Sequence, residues 1–134
     1  MNHAFNPTIL REYDIRGIVG NTLTEADAYA LGRTYAAMGR EEAARDVAVG
    51  RDGRTHSGML EAALIRGLTE GGVDVQQIGM GPSPMLYFAT HYLDVDGGIQ
   101  VTGSHNPADY NGFKLLLKGR SVFGQEIQIG RAHV

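Results

Sequence analysis

Val47-Ala48-Val49-Gly50, then the segment from Ser57 to Glu70, then Val73 to Ile78, is the stretch whose reading decides the fold. The first run is short and almost wholly apolar, as expected of a strand covered by helices on both faces. The middle segment places Leu60, Leu64 and Leu68 on one helical face, with Ser57 positioned as a cap and Gly71-Gly72 as stop signals. The third run puts Val73, Val75 and Ile78 in a second strand. Strand, helix, strand in that order makes a parallel pair with a right-handed crossover the default.

Working outward, Thr24-Glu25-Ala26-Asp27 has the form of a capping box, and Leu23 can pack on Ala28 as a staple. The helix it opens is expected to run to about Met38, with Leu31, Thr34, Tyr35 and Met38 facing inward. On the other side, Gly79-Met80-Gly81-Pro82-Ser83-Pro84 leads into a helix capped by Ser83, with Met85, Phe88, Ala89, Tyr92 and Leu93 on its inward stripe. Gly98 to Thr102 is expected to form a third strand and Phe113 to Leu117 a fourth. About ten residues between them are too few for a crossover helix, so this last pair is read as antiparallel. The expectation is an α/β chain, a three-layer α/β/α domain with a mixed sheet of about four strands.

The 134 residues, 43% of them hydrophobic and 20% charged, suffice for one domain with its own core. A formal charge of −3 and a pI near 5.9, without a stripe rich in Lys and Arg, argue against a nucleic-acid partner. Cysteine is absent, which removes disulfides and thiolate metal sites and suits a reducing cytoplasm. No signal-peptide pattern or membrane-length apolar run is present, so a cytoplasmic protein without a membrane partner is expected. The five histidines show no metal-binding spacing, and the zinc-protease, P-loop, dinucleotide-binding and nucleophile-elbow motifs are all missing.

Three polar loops, Tyr13 to Gly17, Arg51 to Ser57 and Thr102 to Pro107, fall at the ends of sheet elements, where α/β folds gather ligands. In Val101-Thr102-Gly103-Ser104-His105-Asn106-Pro107 the glycine permits a tight turn and the proline ends any regular structure, so Ser104 is displayed on a loop. By itself this reads either as an ordinary turn or as a presented hydroxyl. Arg16 beside Asp14 reads either as a surface pair or as an arginine aimed at an anion. Asp52, flanked by Arg51 and Arg54, reads as a structural ion pair in preference to a catalytic group.

The order and spacing of Tyr13-Asp14-Ile15-Arg16-Gly17, Val49-Gly50-Arg51-Asp52-Gly53-Arg54, Gly79 to Pro84, Thr102 to Pro107 and Tyr110-Asn111-Gly112-Phe113-Lys114 resemble the α-D-phosphohexomutases. The likeness covers residues 5 to 128 and is to the first domain of the bacterial phosphomannomutase/phosphoglucomutase group. It implies that Ser104 carries a phosphoryl group exchanged with C1 and C6 of a hexose phosphate through a bisphosphate intermediate. His105, Arg16 and Lys114 are similar to the family's cationic and polar surround of that serine, with Lys114 a candidate for proton transfer. Tyr13 and Asn106 match positions that line the site. The implied cofactors are Mg²⁺, reached through the phosphate on Ser104, and a hexose 1,6-bisphosphate. The implied partners are the hexose phosphate and the family's other domains.

The departures concern what lies beyond this segment. The family builds its cleft from four domains, and the magnesium loop of D-G-D-x-D-R type, the sugar-recognition loop and the distal phosphate loop have no counterpart here. Residues 1–128 are therefore expected to be an incomplete first domain, inactive as a mutase alone, with domains II to IV absent. Residues 129–134 are expected to be a non-native tail. Gln128 to Val134 is what CAGATCGGAAGAGCACACGTC encodes, and all but its first base matches a common sequencing-adapter string. The alternative is a stand-alone, non-catalytic domain that binds a sugar phosphate or docks to a protein.

Overall fold

The computed structural model describes residues 2–134, apart from the side chain of His133. In chain order the elements are β1 (Ile15–Ile18), α1 (Glu25–Glu41), β2 (Asp46–Arg51), α2 (Ser57–Glu70), β3 (Asp74–Met80), α3 (Ser83–Tyr92), β4 (Gly97–Val101), β5 (Tyr110–Leu117), β6 (Arg120–Ser121) and α4 (Gly124–Gly130). The sheet runs β1-β5-β4-β2-β3, with β6 pairing β5. β2 is parallel to both β3 and β4, whereas β5 is antiparallel to β4 and β1. The mixed α/β sheet is as expected, but it has six strands where about four were read from the sequence. The additional two are short edge pieces on β5. β1 pairs with Tyr110 to Phe113, and β6 occupies the same edge at Leu116 and Leu117. β1 hides in the sequence because the polar Arg11 to Asp14 leads straight into it.

Two adjacent glycines show how the layers stack. A Cβ on Gly97 would lie 1.9 Å from the Tyr35 hydroxyl of α1, while one on Gly98 would lie 2.6 Å from Cγ2 of Thr90 on α3. Successive residues of a strand point to opposite faces, so α1 and α3 cover opposite sides. α2 lies on the α1 side. There Leu31, Tyr35, Leu60, Leu64 and Leu68 meet Val47, Val49, Ile99, Val101, Phe113 and Leu115 in one core. Each such side chain contributes about 1.5–3 kcal/mol on burial. The two helices cross backbone to backbone, since a Cβ on Gly32 would come within 2.4 Å of the Leu64 carbonyl and one on Gly67 within 2.2 Å of the Tyr29 carbonyl.

Local readings hold in part. The Thr24/Asp27 capping box is present, and Leu23 and Ala28 are both buried behind it. α1 continues three residues past the expected Met38 to Glu41, and β3 is displaced to Asp74–Met80. Ser57 is not a cap: it is the first helical residue, and its hydroxyl is spent on Asp52. Pro82, in place of Ser83, occupies the cap of α3. The inward stripe of α3 is a further correction. Leu86 is its buried residue, while Phe88 and Tyr92 are 67% and 76% exposed and stack on each other. The helix packs chiefly on β2 and β4, where Leu86 and Thr90 meet Gly98, a rotation of about one residue from the expected face. Among the described residues no helix is long and apolar enough to cross a membrane.

Candidate functional site

β2 and β4 are neighbouring parallel strands, so their C-terminal ends deliver two loops to the same place. Asp52 donates its N–H to the Val101 carbonyl (2.8 Å), and Gly103 donates to Oδ2 of Asp52 (2.9 Å), which laces the loops together just beyond the strands. Ser104 follows with φ at +52°, a left-handed conformation that costs a non-glycine residue about 1–3 kcal/mol unless its surroundings impose it.

The surroundings that impose it are centred on Arg54. Its Nη1 donates to the carbonyls of Pro107 (2.6 Å) and Tyr110 (3.1 Å), and its Nη2 to those of Asn106 (2.7 Å) and Ser104 (3.1 Å). Nε faces Asp52 at 3.3 Å. A planar guanidinium with five N–H groups is suited to gather several carbonyls onto one side of a loop, and a lysine is not. Gly103 lies flat against this group, since a Cβ there would fall 2.2 Å from Nε of Arg54. The inner side of the loop is closed by Ser104 N–H on Oγ1 of Thr102 (3.0 Å) and by both nitrogens of Asn106 on the Gly103 carbonyl (3.0 and 2.9 Å).

Asp52 is the anion at the centre. It accepts from the Ser57 hydroxyl (2.5 Å), from the Arg54 amide (3.1 Å) and from Gly103. Burial works to raise its carboxyl, but the hydrogen bonds from Ser57, Gly103, Arg54 and Thr102 outweigh it and hold the group below the ordinary aspartate value. Arg51, the other flanking arginine, turns away to pair with Glu61 of α2 at 2.9 Å. Burial pushes the Glu61 carboxyl up, with Arg51 opposing.

The residues singled out from the sequence divide into three groups. Ser104 and the exposed His105 sit on the loop, and Asn106 is there too, with its carboxamide turned back onto the loop itself. Arg16 and Lys114 are strand residues. Arg16 stands opposite Gly112 and Lys114 opposite Gln100, and Gly112 and Lys114 are two apart on β5, so both cations project from one face. It is the α3 face, although α3 packs chiefly on β2 and β4, and Gly112 also accepts from the Thr102 amide at 2.9 Å. Arg16 is held by Asp14 at 2.5 Å. Tyr13 is 69% exposed and stands edge-on to Phe123, and the hydrogen-bonded Glu12 carboxylate raises its phenol.

With the loop and its cations in place, likeness to known proteins can be weighed. Residues 7–129 match the family described as phosphoglucomutase/phosphomannomutase, alpha/beta/alpha domain I. The chain belongs to this family. It is 47% identical to the phosphomannomutase/phosphoglucomutase of Pseudomonas aeruginosa, an alignment spanning all of this chain and 30% of that protein. It is 48% identical to the phosphoglucomutase of Neisseria gonorrhoeae over 90% of this chain and 26% of the relative. A crystal structure of a phosphoglucomutase/phosphomannomutase family protein from Burkholderia thailandensis superposes with a TM-score of 0.88 and 42% identity, covering 96% of this chain and 30% of that one. The chain thus spans about 30% of the length of these relatives.

Sequence reasoning assigned Asp52 and its flanking arginines to a structural pair, which Arg54 makes, took Ser57 for a helix cap, and passed over His56 and Asn111. The usable signal was topological. Arg51 to Ser57 and Thr102 to Pro107 each follow a strand of the same parallel unit, and neighbouring parallel strands place such loops side by side. As for the implied magnesium, no group of three or more His, Asp or Glu side chains among the described residues is arranged to hold a metal ion.

Proposed function

We propose that Ser104 is a phosphoryl carrier and that the chain is the phosphoserine-bearing part of a phosphohexomutase, which moves phosphate between C1 and C6 of a hexose phosphate through a hexose 1,6-bisphosphate. The observation that carries this reading is the clamp. Arg54, donating to four loop carbonyls, and the half-buried Asp52 hold Ser104 in a left-handed conformation beyond the end of β4, with two cations on one face of the sheet. Phosphoryl transfer asks a protein for fixed position and for positive charge near the transferring oxygens, and the held loop together with the two strand cations supports that reading.

When Ser104 accepts a phosphoryl group, its Oγ forms the new P–O bond while the ester bond to the sugar oxygen breaks. The proton leaving Oγ is matched by the proton gained by the sugar hydroxyl. Lys114 and His105 are the groups suited to carry these protons, and Arg16 to offset charge on the phosphoryl oxygens. Donation runs the same steps in reverse at the other end of the sugar. Relatives are named for mannose and glucose phosphates alike, so the substrate class is a hexose phosphate. Binding the far phosphate and the metal falls to further segments of a family-length protein.

The test is phosphate mapping on the active, family-length protein. A single phosphate on Ser104 is expected, absent from Ser104→Ala. Phosphate persisting in that variant, or active enzyme without phosphate on Ser104, overturns the proposal.

A further inference from the structure

We infer that His56 is a positioning residue that ties the geometry of the Ser104 loop to pH, an inference that rests on the phosphoryl-carrier reading of Ser104. His56 stands at the start of α2 between the serine loop and β5. Its Nε2 lies 3.1 Å from the Ala108 carbonyl, which can only accept, so Nε2 carries the proton. Its Nδ1 lies 2.8 Å from Nδ2 of Asn111, which can only donate, so Nδ1 offers its lone pair. Both partners therefore select one neutral tautomer.

The orientation of Asn111 is fixed in turn. Its Oδ1 accepts from the Gly112 amide (2.8 Å), and Nδ2 gives its second proton to Oγ of Ser57 (2.8 Å). Ser57, already an acceptor, donates its own proton to Oδ1 of Asp52, and Oδ2 of Asp52 accepts from Gly103, the residue before Ser104. The chain of donors runs one way, from Asn111 through Ser57 to Asp52, with His56 and Gly103 as its ends. Asn111 and Ser57 are fully buried, so a broken link is not simply replaced by bulk water.

Protonation of His56 puts an N–H on Nδ1 facing the N–H of Asn111. Two responses are open. The groups separate, or the Asn111 amide flips, which offers Oδ1 to Ser57 and His56 and turns Nδ2 against the Gly112 amide. In the first case the Asn111 amide shifts against Ser57, and in the second Ser57 can leave Asp52, which then holds Gly103 with one donor fewer. The other charged or titratable groups on the surrounding elements are Asp52 and Arg54, already paired; Arg51 with Glu61 on α2; and His105 and Asp109 on the serine loop. Lys114 is carried on the opposite sheet face from Asn111, an odd number of residues away on one strand.

The experiment is NMR of the 134-residue chain across about pH 5 to 8, where imidazoles take up protons. Long-range ring ¹H–¹⁵N spectra read the His56 tautomer, and backbone spectra follow the Gly103 and Ser104 amides. The neutral Nε2–H form is expected at high pH, and both amides are expected to move with the His56 midpoint, also in a His105→Gln background. His56→Asn, which keeps an acceptor near the Nδ1 position but does not titrate, should hold both amides at their high-pH shifts. His56→Ala should place them near the low-pH shifts throughout. An Nδ1–H tautomer, amides that follow His105, or titration that survives in His56→Asn overturns the inference. None of these readouts needs phosphate on Ser104, so failure of the carrier reading would show in phosphate mapping and leave this result intact.

Discussion

Replacing Arg54 by alanine removes one side chain and unties the whole serine loop. Four carbonyls lose their donor and Asp52 loses its cationic partner. A hydrogen bond from a charged donor is worth about 1.5–3 kcal/mol net when desolvated, but these carbonyls lie near the surface and water can replace part of each, which brings the figure to about 1 kcal/mol apiece. Against that sum of about 4 kcal/mol stands the release of Ser104 from its left-handed conformation, which returns about 1 kcal/mol. A net loss of about 3 kcal/mol is expected, a large share of the roughly 5–15 kcal/mol that holds a typical domain folded. Arg54→Lys tests the cause, because an ammonium can still face Asp52 but cannot span four carbonyls as a planar fork does; it should recover only about 1 kcal/mol. Urea unfolding of the wild-type chain and both variants, at unchanged m-value, gives these differences directly. An alanine variant within about 1 kcal/mol of wild type, or a lysine variant equal to wild type, would refute the claim that the guanidinium imposes the loop conformation.

The same structure sets two further outcomes. Ser104→Gly should raise stability by about 0.5–1 kcal/mol, because glycine takes φ of +52° without the penalty of a Cβ and gives back only part of that gain in chain entropy; a loss of more than about 1 kcal/mol in urea unfolding would mean that the serine hydroxyl itself holds the loop. Asp96 accepts from the amides of Arg45 and Asp46 and pairs with Lys118, and the Arg45 hydrogen bond leads the causes that lower its carboxyl to about 2. A depressed folded value means a contribution fully present above the unfolded-chain pKa near 4 and lost as pH falls from there to about 2. Acid unfolding followed by circular dichroism should therefore be flatter between about pH 4 and 2 in Asp96→Asn than in wild type, and identical profiles would remove Asp96 from the account.

What the sequence displayed and what it hid differ in kind. The parallel unit from Val47 to Ile78 was legible because its signals are local: apolar runs of strand length, leucines four apart, paired glycines at a helix end. The capping box at Thr24 and Asp27 was legible for the same reason. Ser104 was legible as a displayed residue because Gly103 and Pro107 constrain the backbone around it. The Arg54 clamp was not, because its partners lie about fifty residues further on and are carbonyl oxygens, which carry no sequence identity. The outward turn of Phe88 and Tyr92 was hidden as well. Helical spacing identifies a stripe, but which stripe faces the sheet depends on where Gly98 leaves room for Leu86 and Thr90.

The site therefore divides into two groups of residues with different physical duties. Arg54, Asp52, Ser57, His56 and Asn111 spend their hydrogen bonds on one another and on the loop backbone, so the energy of displaying Ser104 is carried by groups already engaged in holding the loop. Arg16 and Lys114 stand half-buried on the α3 face of the sheet, on strands other than the two that α3 chiefly packs against, with Asp14 as the one anionic partner in an ion pair with either among the described residues. Changes in the first group must alter stability and chemistry together, because a relaxed loop loses both its fold energy and its geometry. Changes in the second should cost less stability, since a half-buried surface charge contributes little to folding, and under the proposed function should act mainly on phosphoryl transfer. A serine held in a costly conformation by a network of side chains from two other elements, on a sheet that also carries Arg16 and Lys114 side by side, is an arrangement that stability alone does not explain. That imbalance is the physical argument for treating this end of the sheet as a working site.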